Sequence, residues 1–428
     1  MAPVVSFMMA NDHKVLGRAL GLFTFSDTVG KGLPLFTPKG ATIRRELERF
    51  IVDEELKRGY QHVYTPDIAK LDLYKKSGHY PYYKDSMYAP IVIDDEEFML
   101  RPMTCPHHFE LYLAEPHSYR ELPMRLAELA KLYRYEQSGE LMGLQRVRTF
   151  CLADAHIICR KEQAQEEIKS VLDLIDYVTK TLGLTLGTDY HYRLSLGDRS
   201  DSKKYFKDDA AWDHAEDILR TVLKQRKSEF VEAKNEAAFY GPKIDIQMTN
   251  ANGKEDTAIT VQYDFVMPKR FKLTYINEEG SDEEAIVIHR SSIGAIERII
   301  AFLIEHYNGA FPLWLAPVQV KLIPIAERHI EYARKVAEEL QNGLAPSSGA
   351  RSTSAANPIR VEVDDRNERM QAKIREATLQ KIPYVGIIGD KEIDAKTISI
   401  RTRDGKNLSA LSISKFSGKV LDEIEKKI

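Results

Sequence analysis

Cys105, His156 and His289 have the chemistry of a soft-metal site. A thiol and two imidazoles suit zinc, and three protein ligands leave one coordination position for a substrate. Their separation along the chain carries no signal. Buried cysteine and hydrogen-bonded core histidines are the ordinary reading of such residues, and His107 and His108 compete as ligands. A second group is cationic. Arg134 in YRYE and Arg298 in SSIGAIERII can grip a phosphate and stabilise charge growing on it. A cross-strand salt bridge for Arg134 and Glu136, and an exposed helix position for Arg298, are the bland alternatives. His79, in the loop word SGHY, is a candidate proton acceptor near neutral pH or a plain surface histidine.

The stretch Leu144–Cys159 has to position much of this chemistry. As a β-strand it alternates faces. One face carries Arg146, Arg148, Phe150, Leu152, Asp154 and His156; the other carries Val147, Thr149, Cys151, Ala153 and Ala155. The second face is small and mostly apolar, a packed back. The first sets cations, a ring, a carboxylate and an imidazole in line. At ~3.3 Å per residue Phe150 and His156 stand roughly 20 Å apart, the span of a nucleotide joined to a small acid.

Around it, residues 41–58 read as a helix with Ile43, Leu47, Phe50 and Ile51 at helical spacing, stopped by Gly59. A short strand follows over 60–65. Residues 74–100 read as the loop KKSGHYPYYKDSMY and then an extended piece. A helix is expected over 105–115, and 123–136 form a strand that QSGELMG joins as a hairpin to the central one. Helices are expected over 162–182 and 207–226, successive strands over 239–275, and a strand over 284–290. The last helix of this half spans 293–307, with Ile293, Ile296, Ile300 and Leu303 inward. The strands do not alternate regularly with helices, so the plan is α+β with a largely antiparallel sheet. From 318 onward strand, helix, strand, helix, two strands and a final helix make a compact α/β domain, with 343–358 a flexible surface loop. The domain division is set at 1–312 and 313–428.

The chain has 428 residues, 61 basic against 64 acidic, a net charge of −3 that neither demands nor excludes a nucleic-acid partner. Three cysteines argue for a reducing compartment, and no apolar run approaches the ~18 residues of a membrane span. The N-terminal residues lack a basic leader. The cytosol is the expected location. Neither GxGxxG nor GxxxxGK[ST] occurs, so a bound nucleotide would be held by arginines.

Taken together, these segments resemble a known family. The helix 41–58 with its following strand is similar to motif 1 of class II aminoacyl-tRNA synthetases. LAKLYRYEQSGELMGLQRVRTF resembles motif 2, and SSIGAIERII resembles motif 3. RPMTCPHH, ADAHIIC, AAFYGPKIDI and VIHRSSIGAIERI resemble the threonyl-tRNA synthetase family specifically, over nearly the whole chain. The resemblance implies ATP-dependent ligation of threonine to tRNA(Thr) through a threonyl-adenylate. It implies that Arg134 holds the α-phosphate and the amino-acid carboxylate. Glu136, Arg146 and Gln262 would assist ATP binding, Phe150 stack on adenine and Arg298 cap the γ-phosphate. It implies one zinc ion on Cys105, His156 and His289. Asp154, Tyr240 and Lys243 would receive threonine, and His79 would assist the attacking tRNA adenosine. Asn367, Glu392 and Arg401 match positions that read anticodon bases. Magnesium accompanies ATP, and motif 1 makes a homodimer. The match lacks the family's N-terminal editing domain, as a short form would. Leu152 and Ala153 stand where many members have polar residues, with Leu152 on the substrate face. A non-catalytic paralogue that senses an amino acid or binds RNA is the competing reading, as is a sibling ligase for serine or proline. The arginines Arg134, Arg146 and Arg298 favour an enzyme, and the zinc set with Asp154 favours threonine.

Overall fold

The computed structural model describes residues 11–342 and 359–428. The loop expected over 343–358 lies outside them. Two compact units emerge. The first comprises Leu47–Phe302 with Phe25–Leu35 and the described residues up to Lys14; the second comprises Leu303–Ile428 with Val15–Thr24 and Phe36–Glu46.

The first unit is built on eight strands: β1 (Gln61–His62), β2 (Met124–Tyr133), β3 (Thr149–Cys159), β4 (Tyr190–Leu196), β5 (Phe230–Lys234), β6 (Lys243–Thr249), β7 (Glu255–Asp264) and β8 (Ile286–Ala295). They form one sheet in the order β5-β4-β6-β7-β8-β3-β2-β1. The two outermost pairs are parallel and every pairing between them is antiparallel. The antiparallel-rich α+β plan is therefore the one observed. Its centre is apolar on the packed face: Cys151, Ala153 and Ala155 of β3 are buried. Helix α1 (Pro38–Lys57), whose residues from Leu47 on belong to this unit, buries Leu47, Phe50 and Ile51 here and Ile43 in its earlier turns, as its spacing requires. The amphipathic helices Ala164–Thr181 and Asp209–Gln225 fall where expected.

Five local expectations are corrected. The strand expected over 123–136 ends at Tyr133, so Arg134 and Glu136 lie beyond it. The central strand starts at Thr149, because Met142–Arg146 closes a turn in which Met142 N–H reaches the Arg146 carbonyl (3.1 Å). Arg146 and Arg148 thus drop out of the strand's alternation. The stretch read as a loop is helical at Leu71–Ser77 and again at His79–Tyr82, with Gly78 between them at φ +79°. Leu71, Tyr74 and Ser77 are the buried positions of the first helix, and a polar composition hid that spacing. The strands expected over 239–275 are interrupted by a short helix, Met267–Phe271. Asp264 Oδ1 accepts the Val266 and Met267 N–H groups and so nucleates it. The helix expected from 293 begins at Ile296, and Ile293 is a buried residue of β8.

The second unit carries a five-stranded sheet ordered Val361–Val363, Val320–Pro324, Tyr384–Ile388, Thr397–Thr402, Leu411–Ser412. The first three run parallel and the rest antiparallel. Val320, Leu322, Leu340, Ile398 and Phe416 form its core. The expected strands and helices are all present, and Asp390–Ala395 adds a short helix.

Candidate functional site

Strand register places the chemistry. Lys243 of β6 faces Gln262 of β7, Gln262 faces His289 of β8, and His289 faces His156 of β3. Two residues along, and so on the same face, Asp245, Thr260, Ser291 and Asp154 make a second row. Both rows line a cavity of about 550 Å³. That volume is within the range of small-molecule sites.

One end of the cavity is cationic. Arg134, Glu136, Arg146, Phe150 and Arg298 all line it. The Arg134 guanidinium lies 5.2 Å from the Phe150 ring centroid, and its Nε donates to the Pro102 carbonyl at 3.2 Å. Arg146 Nε donates to Glu136 Oε2 at 2.8 Å. Arg298 donates to the carbonyls of Gln145 (2.9 Å) and Thr257. Burial lowers the Arg134 pKa below its ordinary value. Burial, joined by the charges of Arg134 and Arg146, does the same for Arg298. Arg134 and Arg298, short of water, with the more exposed Arg146 beside them, suit a polyanion. Arg148, expected beside them, instead donates to the Glu136 carbonyl at 3.0 Å and lies over the Tyr135 ring.

At the other end, Cys105, His156 and His289 are buried, and one ligand atom from each lies within 4.8 Å of the others. Cys105 opens the helix Cys105–Tyr112. Each histidine has one nitrogen already engaged: His289 Nε2 is 2.7 Å from Asp264 Oδ2, and His156 Nδ1 is 2.8 Å from His108 Nδ1. This leaves one nitrogen of each for a cation. Zinc fits the set, because a sulfur and two imidazole nitrogens converge and the histidines are held from behind. Burial pushes the Cys105 thiol well up and the His156 imidazole well down, so without a cation neither charges readily. The rivals resolve by geometry: His108 spends both nitrogens on other groups, and His107 packs against Tyr74.

Between the two ends, Tyr240 donates to Gln262 Oε1 at 2.5 Å and stacks on His289 with centroids 5.0 Å apart. Lys243 Nζ reaches both Asp245 oxygens, at 2.9 and 2.7 Å. Asp154 is buried, and burial raises its carboxyl. Leu152 lines the cavity as its face predicts, whereas Ala153 points back, its carbonyl 3.5 Å from Arg290 Nη1. His79 also lines the cavity. It is no surface residue: it is 3 % exposed, with Nδ1 2.7 Å from Ser77 Oγ. Burial lowers its pKa to about 3, with His289, Arg270 and Arg134 adding to the effect, so it is uncharged at neutral pH.

Asp245 and Asp264 were not anticipated. Each stands two residues after a residue that was (Lys243 and Gln262), so strand alternation was the signal that could have found them. Of the anticodon set, Asn367 is exposed, and Glu392 accepts from Gly389 N–H (2.9 Å) and Ser399 Oγ (2.7 Å). Arg401 stands on Thr397–Thr402 opposite Val385. Among the described residues no hydrogen bond or ion pair joins the three.

A largely antiparallel sheet carrying a cavity with converging arginines at one end defines a class of protein. Residues 88–307 match the tRNA synthetase class II core domain (G, H, P, S and T), and residues 319–423 match an anticodon binding domain. The threonine–tRNA ligase of Halalkalibacterium halodurans is 48% identical over 416 residues, and that of Listeria monocytogenes serovar 1/2a is 47% identical. Each alignment covers 97% of this chain and 62% of the relative, so the chain spans about 62% of the length of these curated relatives. A crystal structure of the RNA binding domain of threonyl-tRNA synthetase from Cryptosporidium parvum superposes with a TM-score of 0.86 at 35% identity, covering 96% of this chain and 97% of that one. A putative threonyl-tRNA synthetase from Aeropyrum pernix gives 0.81 at 28% identity, covering 97% of each chain. The chain belongs to the threonyl-tRNA synthetase family.

Proposed function

We propose that the chain activates threonine with ATP and transfers it to tRNA(Thr). The observation that carries this reading is the single cavity with Arg134, Arg146 and Arg298 at one end and the Cys105–His156–His289 set at the other. Arg134 holds the α-phosphate and the threonine carboxylate, stabilising charge that grows during attack. Arg298 caps the γ-phosphate, Arg146 and Glu136 steady the nucleotide with Gln262 nearby, and Phe150 stacks on adenine. Asp154 and Tyr240 receive the threonine amino group, and Lys243 approaches the adenylate. His79, uncharged and held at Nδ1 by Ser77, accepts a proton on Nε2 from the attacking ribose hydroxyl. Magnesium accompanies ATP.

Cys105, His156 and His289 would hold zinc, which when bound supplies a Lewis-acid position for the amino and hydroxyl groups of threonine. A site built for a hydroxyl rejects valine by roughly 10⁴–10⁵, whereas serine, one methyl smaller, is separated by only ~1–3 kcal/mol. Functionally, residues 1–312 form the catalytic part and 313–428 the anticodon-reading part, through Asn367, Glu392 and Arg401. The working form is a homodimer built on motif 1.

ATP–pyrophosphate exchange with threonine, serine, valine and proline tests the reading, with zinc content measured on the same preparation. Exchange with threonine, weaker exchange with serine and none with valine is expected, at one zinc per chain. Absence of exchange with every amino acid overturns the enzyme, exchange with proline alone overturns the substrate, and an active metal-free preparation overturns the zinc. Sedimentation at micromolar concentration is expected to show a dimer.

A further inference from the structure

We propose that His108 is a positioning residue that fixes which nitrogen of His156 faces the metal position. It acts through a buried chain that runs Arg101, Glu128, His108, His156. The inference rests on the zinc reading of Cys105, His156 and His289.

All four members of the chain are at most 2 % exposed. Glu128 Oε1 accepts from Arg101 Nη2 at 3.0 Å. Its Oε2 accepts from the Thr65 hydroxyl at 2.7 Å and lies 3.2 Å from His108 Nε2. Burial alone would raise the Glu128 carboxyl; hydrogen bonds from His108 and Thr65, with the charge of Arg101, instead bring its pKa to about 2. An ionised carboxylate has no proton to give.

The proton in the Glu128–His108 contact therefore sits on His108 Nε2. A neutral His108 has its one ring proton there, and its Nδ1 is then an acceptor. It lies 2.8 Å from His156 Nδ1, with the two rings nearly perpendicular at 88°. Two lone pairs cannot share that distance, so His156 donates from Nδ1. Its lone pair is then on Nε2, the nitrogen that remains for a cation. The opposite arrangement would set an acceptor nitrogen against the Glu128 carboxylate and place a proton where a ligand lone pair is needed.

The second histidine obtains the same result in one step, since His289 Nε2 meets the Asp264 carboxylate directly at 2.7 Å. His156 is reached by its carboxylate through an interposed imidazole. Packing alone does not account for this, because apolar residues of similar volume commonly match or exceed the stability of a buried ionic network.

The test measures zinc affinity of the whole chain by competition with a chromophoric chelator, and records the visible spectrum of the cobalt-substituted protein. His108→Asn keeps an acceptor near the Nδ1 position. His108→Phe removes both contacts. Glu128→Gln can donate to His108 Nε2 and so lets the ring proton move. His108→Phe is expected to weaken zinc binding by about 10–100-fold and to shift the cobalt ligand-field bands, the usual scale for losing a partner behind a ligand. His108→Asn is expected to restore most of that affinity, and Glu128→Gln to fall between them. Wild-type affinity in His108→Phe overturns the proposal, as does His108→Asn binding no better than His108→Phe. Should His108→Phe not fold by circular dichroism, Glu128→Gln decides alone, and an unchanged affinity there overturns it. A wild-type chain that binds no zinc overturns the metal reading and this inference with it; wild-type binding with insensitive variants overturns this inference only.

Discussion

His79 shows how far a residue's chemistry depends on its surroundings. Read on its own it is a loop histidine near neutral pH; in the fold it is buried beside Phe239 and Tyr240 with a pKa lowered to about 3. The unfolded chain binds a proton at its ordinary value near 6.5, which the folded state refuses until about pH 3. Between these values the unfolded state holds more protons, so this group lowers stability progressively as pH falls through that window. His79→Gln is expected to flatten the decline in melting temperature between pH 6.5 and 5. In the same variant tRNA charging should slow by ~10²-fold or more, with pyrophosphate exchange little changed, since the histidine is assigned to transfer only. Equal loss in both reactions would remove it from the transfer step. Glu128 acts in a lower window. Its folded pKa of about 2 lies below the ordinary 4.5, so its stabilisation is present above 4.5 and is lost as pH falls through 2.

At the scale of the element, the handover from β8 to the helix Ile296–His306 sets the position of Arg298. The register of β8 against β3 shifts between Ser291 and Ala295, and Gly294 sits inside that shift at φ +81°. A Cβ there would stand 2.2 Å from the Ala258 carbonyl oxygen. Neither the dihedral nor the space admits a side chain. Gly294→Ala is therefore expected to cost ~2 kcal/mol or more by urea unfolding, and to raise the KM for ATP by moving Arg298. An unchanged midpoint and KM would show that the turn can relax. This shift also explains why the helix starts three residues later than its apolar spacing suggests: Ile293 is buried as expected, but from a strand. Apolar periodicity reports that a residue is inward, and a break in register is invisible to it. The reverse error occurred at Leu71–Ser77, where lysines on the open face concealed three buried positions.

At the scale of the molecule, the second unit does not consist of residues after 312 alone. Within it, Lys39 Nζ donates to Gln380 Oε1 at 2.8 Å and Glu46 pairs with Arg360 at 3.3 Å. Leu20 and Leu22 share a small cavity wall with Phe311 and Ile382. A fragment of residues 313–428 is expected to melt several degrees below the corresponding transition of the whole chain in calorimetry. Addition of residues 15–46 is expected to restore part of the difference. Equal melting temperatures would mean that these contacts contribute nothing.

The sequence alone determined the central strand's face from Thr149 onward, the antiparallel hairpin before it, most of the succession of strands and helices after 318, and the motif words that carry the family. Each is a local pattern, set by period-two or helical spacing or by adjacent residue types. Only the tertiary structure decided that Cys105, His156 and His289 converge, that Asp264 and His108 stand behind the two histidines, and that His79 is buried. Cys105, His108 and His79 reach the site from short helices; the meeting of His156 and His289 depends on the pairing of strands more than a hundred residues apart and on the register that aligns them. Spacing along a chain holds no record of either.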